Sequence, residues 1–552
     1  MNTKNNIDRR QFMKLLAKGS AAGALGSVGQ FALMNEAFAA APSFSGYKAL
    51  VCVYFHGGND SFNMLIPTQS DEYNTYKASR GGLAVANNDL DISSISANLK
   101  NGTLGKGSSN PYNAGVSSSE VAAYTRGLYD LSNKGINLGV NAVMPEFAQL
   151  INENKMSLIA NVGNLVAPVT RQQIKDKTAN LPLFLFAHDH QRRALQTGQG
   201  NNLNDIGWAG KIADSWKGVN NNSPLGLNIS YAGNDRMLIG KKTSPFVLSS
   251  SGSIPYFKQM RKDHNEYEDD HRALFKALGG IAKEASTSAL NLGTMNYGNS
   301  DPFKRLFGQM QNKSLSTFDE LFGAWNDNPI SYDTKGPYGE DLFANVEAAD
   351  IGFSSTLNGR FISQLESVAK MIDLGAKDAF KTGDYKRQIF FVNMTGFDNH
   401  TNQAPGHSKL LREISLGLWK FQKAMEELGH AEKVTTFSMS DFGRTLSNNG
   451  GGTDHAWGAH HFVMGGAGKK TAGTLNGGSM IGTPPDLTLD GPDDYSNKGR
   501  MIPTLAQDQL NASICEWFGV EQSKIADIFP NLSNFKAPQG DIKSAFLNDL
   551  FV

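Results

Sequence analysis

The sequence predicts an α/β fold in which a largely parallel sheet carries helices on both faces. Three observations lead there. Short, continuous apolar runs alternate with helical stretches, the pattern of strands buried on both sides. Polar, glycine-rich clusters follow several of those runs directly, as they do at the carboxyl ends of parallel strands. Residues 40–552 are enough chain for a large core and more than one layer of structure.

Taken in order, residues 47–55 read as a buried strand, 144–154 as a helix and 156–162 as the next strand. Residues 225–231 form a short strand, and 264–283 and 360–374 read as helices. In the second of these helices Phe361, Leu365, Val368 and Ile372 recur at helical spacing. A strand at 387–394, a helix at 408–428, a strand at 434–439 and a further strand at 460–465 complete the pattern. Two stretches break the rhythm: 80–130 is rich in Ser, Asn and Gly, and 295–345 is polar and interrupted by prolines. Structureless loops of that length are uncommon in a compact domain, so both read as insertions on one sheet domain spanning 40–552.

Residues 1–39 have a different character. Asp8-Arg9-Arg10-Gln11-Phe12-Met13-Lys14 precedes a small-residue, mildly apolar run and then Ala37-Phe38-Ala39. That is a twin-arginine leader with an Ala-x-Ala cleavage site, with a mature chain starting near Ala40. Read as a membrane anchor, the run is too polar, since it holds Lys18 and four glycines. The leader implies passage through the twin-arginine export machinery to the periplasm or beyond. Folded export suits proteins that load a metal or cofactor first.

The whole chain balances 52 Lys+Arg against 52 Asp+Glu. The leader holds five bases and two acids, so its removal leaves a charge of about −3. No basic excess exists to neutralise a phosphate backbone, which argues against nucleic-acid binding. No other segment is long and apolar enough to cross a membrane. Cys52 and Cys515 sit in apolar surroundings and read as two buried thiols, although an oxidising compartment permits a bridge.

Four clusters carry chemistry. His56-Gly57-Gly58-Asn59-Asp60-Ser61 follows the first strand; Asp60 offers a carboxylate and Ser61 a hydroxyl that a metal could activate, or else a turn residue caps a helix. Thr395-Gly396-Phe397-Asp398-Asn399-His400 puts a carboxylate and an imidazole on one loop, which suits a divalent metal or, equally, a capping Asp and a surface His. In Ser440-Asp441-Phe442-Gly443-Arg444-Thr445, Arg444 either grips an anionic group or pairs with Asp441. Asp454-His455-Ala456-Trp457-Gly458-Ala459-His460-His461 is dense in imidazole, and at most one of His460 and His461 faces the crevice if the segment is extended. A fifth cluster, His188-Asp189-His190, reads better as a helix start than as a metal site.

These motifs together resemble the twin-arginine-exported proteins grouped as domain of unknown function family 1501. The resemblance rests on Tyr54 to Asp60, residues 188–198, Gly207-Trp208-Ala209-Gly210, Gly396 to His400, residues 440–445 and Gly452-Thr453-Asp454-His455. Ile502-Pro503-Thr504, Trp517-Phe518-Gly519-Val520 and Phe529-Pro530-Asn531-Leu532 extend it over nearly the whole mature chain. That family looks like a branch of the alkaline phosphatase and sulfatase superfamily. The resemblance implies an alkaline-phosphatase-like sheet and one or two divalent ions (zinc, calcium, magnesium or manganese). One ion would lie at Asp398, His400 and His455, and a poorer one at Asp60 and Asp441, where Phe442 replaces an expected imidazole. It further implies Ser61 or water as nucleophile and Arg444 as the grip on an anionic ester substrate. The chain lacks the Cys/Ser-x-Pro-x-Arg signature of formylglycine sulfatases. The expected activity is hydrolysis of phosphate or sulfate esters. The rival is a fold-retaining protein that binds glycans or partner proteins.

Overall fold

The computed structural model describes residues 42–93, 120–216, 218–220, 223, 225–249, 317, 320–380 and 384–552. The expected leader at 1–39, the expected helix at 264–283 and parts of both expected insertions lie outside the described residues. Among the described residues the strands are, in chain order, β1 (Lys48–His56), β2 (Leu65–Pro67), β3 (Leu128–Asp130), β4 (Leu138–Asn141), β5 (Met156–Gly163), β6 (Asn228–Ser230), β7 (Phe246–Val247), β8 (Arg387–Thr395), β9 (Val434–Ser440), β10 (Arg444–Asn448), β11 (Thr453–His455), β12 (Ala459–Gly465), β13 (Met480–Ile481) and β14 (Leu505–Ala506). Every strand expected from the sequence is present, displaced by a few residues at most.

The main sheet runs β13-β5-β12-β9-β1-β8-β6-β7, with β14 also paired to β5. It is parallel except for β12, which runs antiparallel to both β5 and β9. The reversal has a local cause. After β9 the chain makes the β10–β11 hairpin at the sheet rim, and only residues 456–458 separate that hairpin from β12. Such a link is long enough to turn back but too short for the crossover that a parallel neighbour needs. β12 therefore begins at the rim where β1, β5, β8 and β9 end.

Strand β1 shows why this sheet is covered on both sides. Ala49, Val51, Val53 and Phe55 enter one apolar core, and Leu50, Cys52 and Tyr54 enter a second core across the sheet. The first core is closed by the helices Arg360–Ala376 and Gln403–Glu427, and the second by Trp208–Ser215 and Gln507–Phe518. Phe361, Leu365, Val368 and Ile372 all bury on the first face, as their spacing requires. Each such side chain contributes about 1.5–3 kcal/mol on burial. The helix Gln403–Glu427 starts earlier than residue 408 because Pro405 falls in its first turn, where a missing N–H costs no helical bond. Cys52 and Cys515 are free, buried thiols.

The described parts of the irregular stretches are packed. β3 pairs with β4, which pairs with β2, in a separate three-stranded antiparallel sheet. Tyr338 and Leu342 bury in the first core, and Glu340 accepts a hydrogen bond from the buried Lys420 ammonium. No helix of the described residues is long and apolar enough to cross a membrane.

Candidate metal centre

The polar clusters converge at the carboxyl-end rim of the sheet. β1 and β8 are parallel neighbours in register to their last residues, His56 opposite Thr395. Gly57 and Gly58 then turn with φ of +111° and +83°, a region that side chains avoid. A Cβ on Gly57 would lie 2.4 Å from the Asp398 backbone nitrogen, and one on Gly58 would lie 2.8 Å from the Phe442 ring. The glycine pair thus lets the first loop lie directly against the loops carrying Asp398 and Asp441. In the β10–β11 hairpin Arg444 stands opposite His455. The helix His188–Thr197 brings His188 in at its first position.

Three imidazoles meet at Asp398. His455 Nε2 lies 3.0 Å from His188 Nε2 and 3.0 Å from His400 Nε2. Asp398 Oδ1 is 3.0 Å from His400 Nε2 and 3.2 Å from His455 Nε2, and Asp398 Oδ2 is 3.5 Å from His188 Nε2. The far nitrogen of each ring faces an oxygen acceptor. His188 Nδ1 is 2.8 Å from Asp441 Oδ2, His400 Nδ1 is 3.2 Å from Asp454 Oδ1, and His455 Nδ1 is 2.9 Å from the Phe186 carbonyl. In the neutral form of each ring those acceptors favour the proton on Nδ1, which turns Nε2 towards the neighbouring rings and the carboxylate as a lone pair. One shared proton relieves one such contact, not the set. A tetrahedral cation with ligands at about 2.0–2.1 Å needs ligand atoms about 3.3–3.4 Å apart. The observed separations of 3.0–3.5 Å are close to that spacing, and His188, Asp398 and His455 lie within the reach of one ion.

The surroundings favour the ligand form of Asp398 and His455. Burial works to raise the Asp398 carboxyl, but the hydrogen bond and charge of Arg444 outweigh it and hold the group below the usual carboxylate range. Burial pushes the His455 imidazole down, which favours its neutral, metal-binding form. The Asp398 side chain is 45 % exposed and that of His400 is 42 % exposed, so solvent and small ligands reach the cluster from one side. Phe442 closes the other side, its ring centroid 4.6 Å from His188 and 4.8 Å from His455.

Of the residues expected at the site, Asp398, His400 and His455 come together. Asp441 touches the cluster only through His188: its Oδ1 accepts from Tyr54 Oη at 2.6 Å, and its Oδ2 faces His188 and accepts from Gly57 N at 3.0 Å. Asp60 and Asp441, expected to share a second ion, are each engaged by other partners. Asp60 is buried, and Arg80 donates to its two oxygens at 2.7 and 2.6 Å while Gln403 adds a third donor. Ser61 is fully buried, and its Oγ accepts from His460 N at 2.8 Å, which removes it from the surface a nucleophile needs. Arg444 is not poised as an anion grip. Its buried guanidinium donates to Asp398 Oδ1 at 2.7 Å, to the Gly57 carbonyl at 3.2 Å and to both oxygens of Thr453. It holds Asp398 in place and pairs with Asp398 rather than Asp441.

His188 is the residue that sequence reasoning passed over. The helix start it marks is real, with Asp189 in the first turn, and the same residue also supplies an imidazole. The density of His188-Asp189-His190 was the available signal. Neither His460 nor His461 joins the cluster. His460 Nδ1 accepts from Asn161 N, and His461 Nδ1 bonds Ser438 Oγ. Burial pushes them down to about 4 and about 3 respectively.

A comparison with curated proteins found no match to this chain. A comparison with family models found one covering 378–498, a span that holds Asp398, His400, Asp441, Arg444 and His455 and leaves out His188. Residues 378–498 thus match the family described as "Protein of unknown function (DUF1501)", the family that the motifs resemble.

Proposed function

We propose that this protein is an exported, metal-dependent hydrolase of phosphate or sulfate esters, with one divalent ion held by His188, Asp398, His400 and His455. The carrying observation is that His188, Asp398 and His455 lie within the reach of one ion with His400 beside them, each ring oriented by its own acceptor. When bound, the ion would supply Lewis acidity and lower the pKa of a coordinated water. The chain's own part in this reading is orientation: Asp441, Asp454 and the Phe186 carbonyl fix the rings, and Arg444 fixes Asp398. Buried Ser61 leaves water as the nucleophile. The expected leader with Arg9-Arg10 supports the export half of the proposal, a working location in the periplasm or outside the cell.

The engagement of Ser61 and Arg444 within the fold favours a second reading, a catalytically silent protein that keeps the metal and binds a partner or glycan. Metal analysis of protein purified after folded export, with a screen of aryl phosphates and sulfates, separates the two. The hydrolase reading expects bound metal and turnover, both lost in Asp398→Ala. Bound metal with no turnover on any ester supports the second reading.

A further inference from the structure

Beside the imidazole cluster lies a second feature, and we propose that it is a subsite for a sugar, so that the ester offered to the cluster is carried on a carbohydrate. This rests on the hydrolase reading above for its link to turnover, but not for binding. The helix that begins with His188 continues along the wall of a cleft of about 680 Å³, to which it contributes Asp189, Arg192, Arg193 and Gln196. His56 and Thr395, the last residues of β1 and β8, line the same cleft. Gly57, next to His56, donates to Asp441, which holds His188. Cleft and cluster therefore share one rim and one helix, and a ligand of two parts can span them.

The lining chemistry selects the class of ligand. Three arginines, Arg192, Arg193 and Arg236, and three aspartates, Asp189, Asp205 and Asp235, line the cleft. Arg192 and Arg193 both reach Asp189, at 2.6 and 3.0 Å, and Arg236 donates to the Asp205 carbonyl at 2.9 Å. Lys211 also reaches the Asp205 carboxylate, at 2.8 Å, so these cations are already engaged with the wall of the cleft. Apart from the His56 ring the apolar lining is aliphatic and scant (Ile206, Ala232, Ile239), so an acyl chain or aryl group finds little to cover it. What the cleft offers is alternating donors and acceptors, extended by the exposed carboxamides of Asn204 and Asn234. Vicinal hydroxyls, each donor and acceptor at once, satisfy such a wall. The volume lies within the range of small-ligand sites, about 300–1,000 Å³.

The test is calorimetric titration of the full, metal-loaded protein with neutral disaccharides (maltose, lactose, cellobiose, chitobiose) and with sodium sulfate at constant ionic strength. At least one disaccharide is expected to bind saturably, and the paired change Asn204→Ala with Asn234→Ala is expected to weaken it about tenfold or more. Metal content and melting temperature of that variant should match the parent. Sugar binding that survives metal removal also supports the subsite, whatever becomes of the hydrolase reading. Three results overturn the proposal: no disaccharide binds, binding is unchanged in the paired variant, or sulfate alone binds and is lost in that variant.

Discussion

Asp60 and Asp398 occupy equivalent places in the sequence, each a few residues beyond a buried strand and a glycine turn, and those strands are neighbours in the sheet. Their surroundings are opposite. The Asp60 side chain is 3 % exposed, gripped by the fully buried Arg80 guanidinium, whereas Asp398 is 45 % exposed among three imidazoles. A carboxylate at a strand end becomes a ligand only where its neighbours leave acceptor capacity unspent. The two regions are nevertheless joined. Arg444 bonds Asp398 and Thr453, Thr453 Oγ1 donates to Gln403 Oε1 at 2.7 Å, and Gln403 Nε2 donates to Asp60. The buried acid is thus part of the frame that holds the open one.

The sharpest way to break this contrast is to remove one acid at a time. Asp398→Ala is expected to weaken divalent-metal binding by more than about 100-fold, beyond the range of changes to orienting groups, with a smaller loss of stability because Arg444 keeps its bonds to Gly57 and Thr453. Competition with a chromogenic chelator measures it. Asp60→Ala should do the reverse. It strands a buried guanidinium and should cost about 3–5 kcal/mol of stability, read by chemical denaturation, while the folded fraction keeps its metal. Loss of metal without loss of stability in Asp60→Ala would make the two acids alike and end the contrast.

Acid separates the regions a second way. Burial pushes His407 to about 4, His460 to about 4 and His461 to about 3, all below the ordinary value for histidine. An imidazole depressed by folding is protonated first in the unfolded chain. Its stabilising effect is present above pH of about 6.5 and is lost as the pH falls toward about 4, by up to about 3 kcal/mol for each ring. Thermal melts of the metal-free protein should therefore fall steeply across that window. A flat profile would show that these rings are not held neutral.

Smaller changes sharpen the roles around the cluster. Asp441→Asn keeps its shape but weakens the acceptor behind His188, and about 10–100-fold weaker metal binding is expected. Ser61→Ala removes only the acceptor for His460 N. It should cost about 1–3 kcal/mol of stability and leave any turnover per bound metal unchanged, as steady-state kinetics on metal-quantified samples would show.

The sheet was legible because its strands are continuous apolar runs, and β1 could be read before any partner was known. Asp398, His400 and His455 were legible because strand-end loops in such sheets meet at one rim. Arg80 was not. It ends a polar helix, Ser70–Arg80, whose sequence resembles a solvated surface, and nothing local marks its guanidinium as the one that enters the core. His188 was read only as a helix start for a related reason. No strand precedes it, and only the folded chain brings its helix to residues more than 200 positions away. The antiparallel course of β12 depends on the brevity of one link rather than on its apolar pattern.

X-ray absorption at the metal edge, on the zinc-loaded protein with the metal counted per chain, tests the central claim most directly. The expected result is one ion with light-atom ligands at about 2.0–2.1 Å and the multiple-scattering signature of three imidazoles, lost in part when His188 is replaced by Ala. A first shell without imidazole, or two ions per chain, or a spectrum indifferent to His188→Ala, would contradict it.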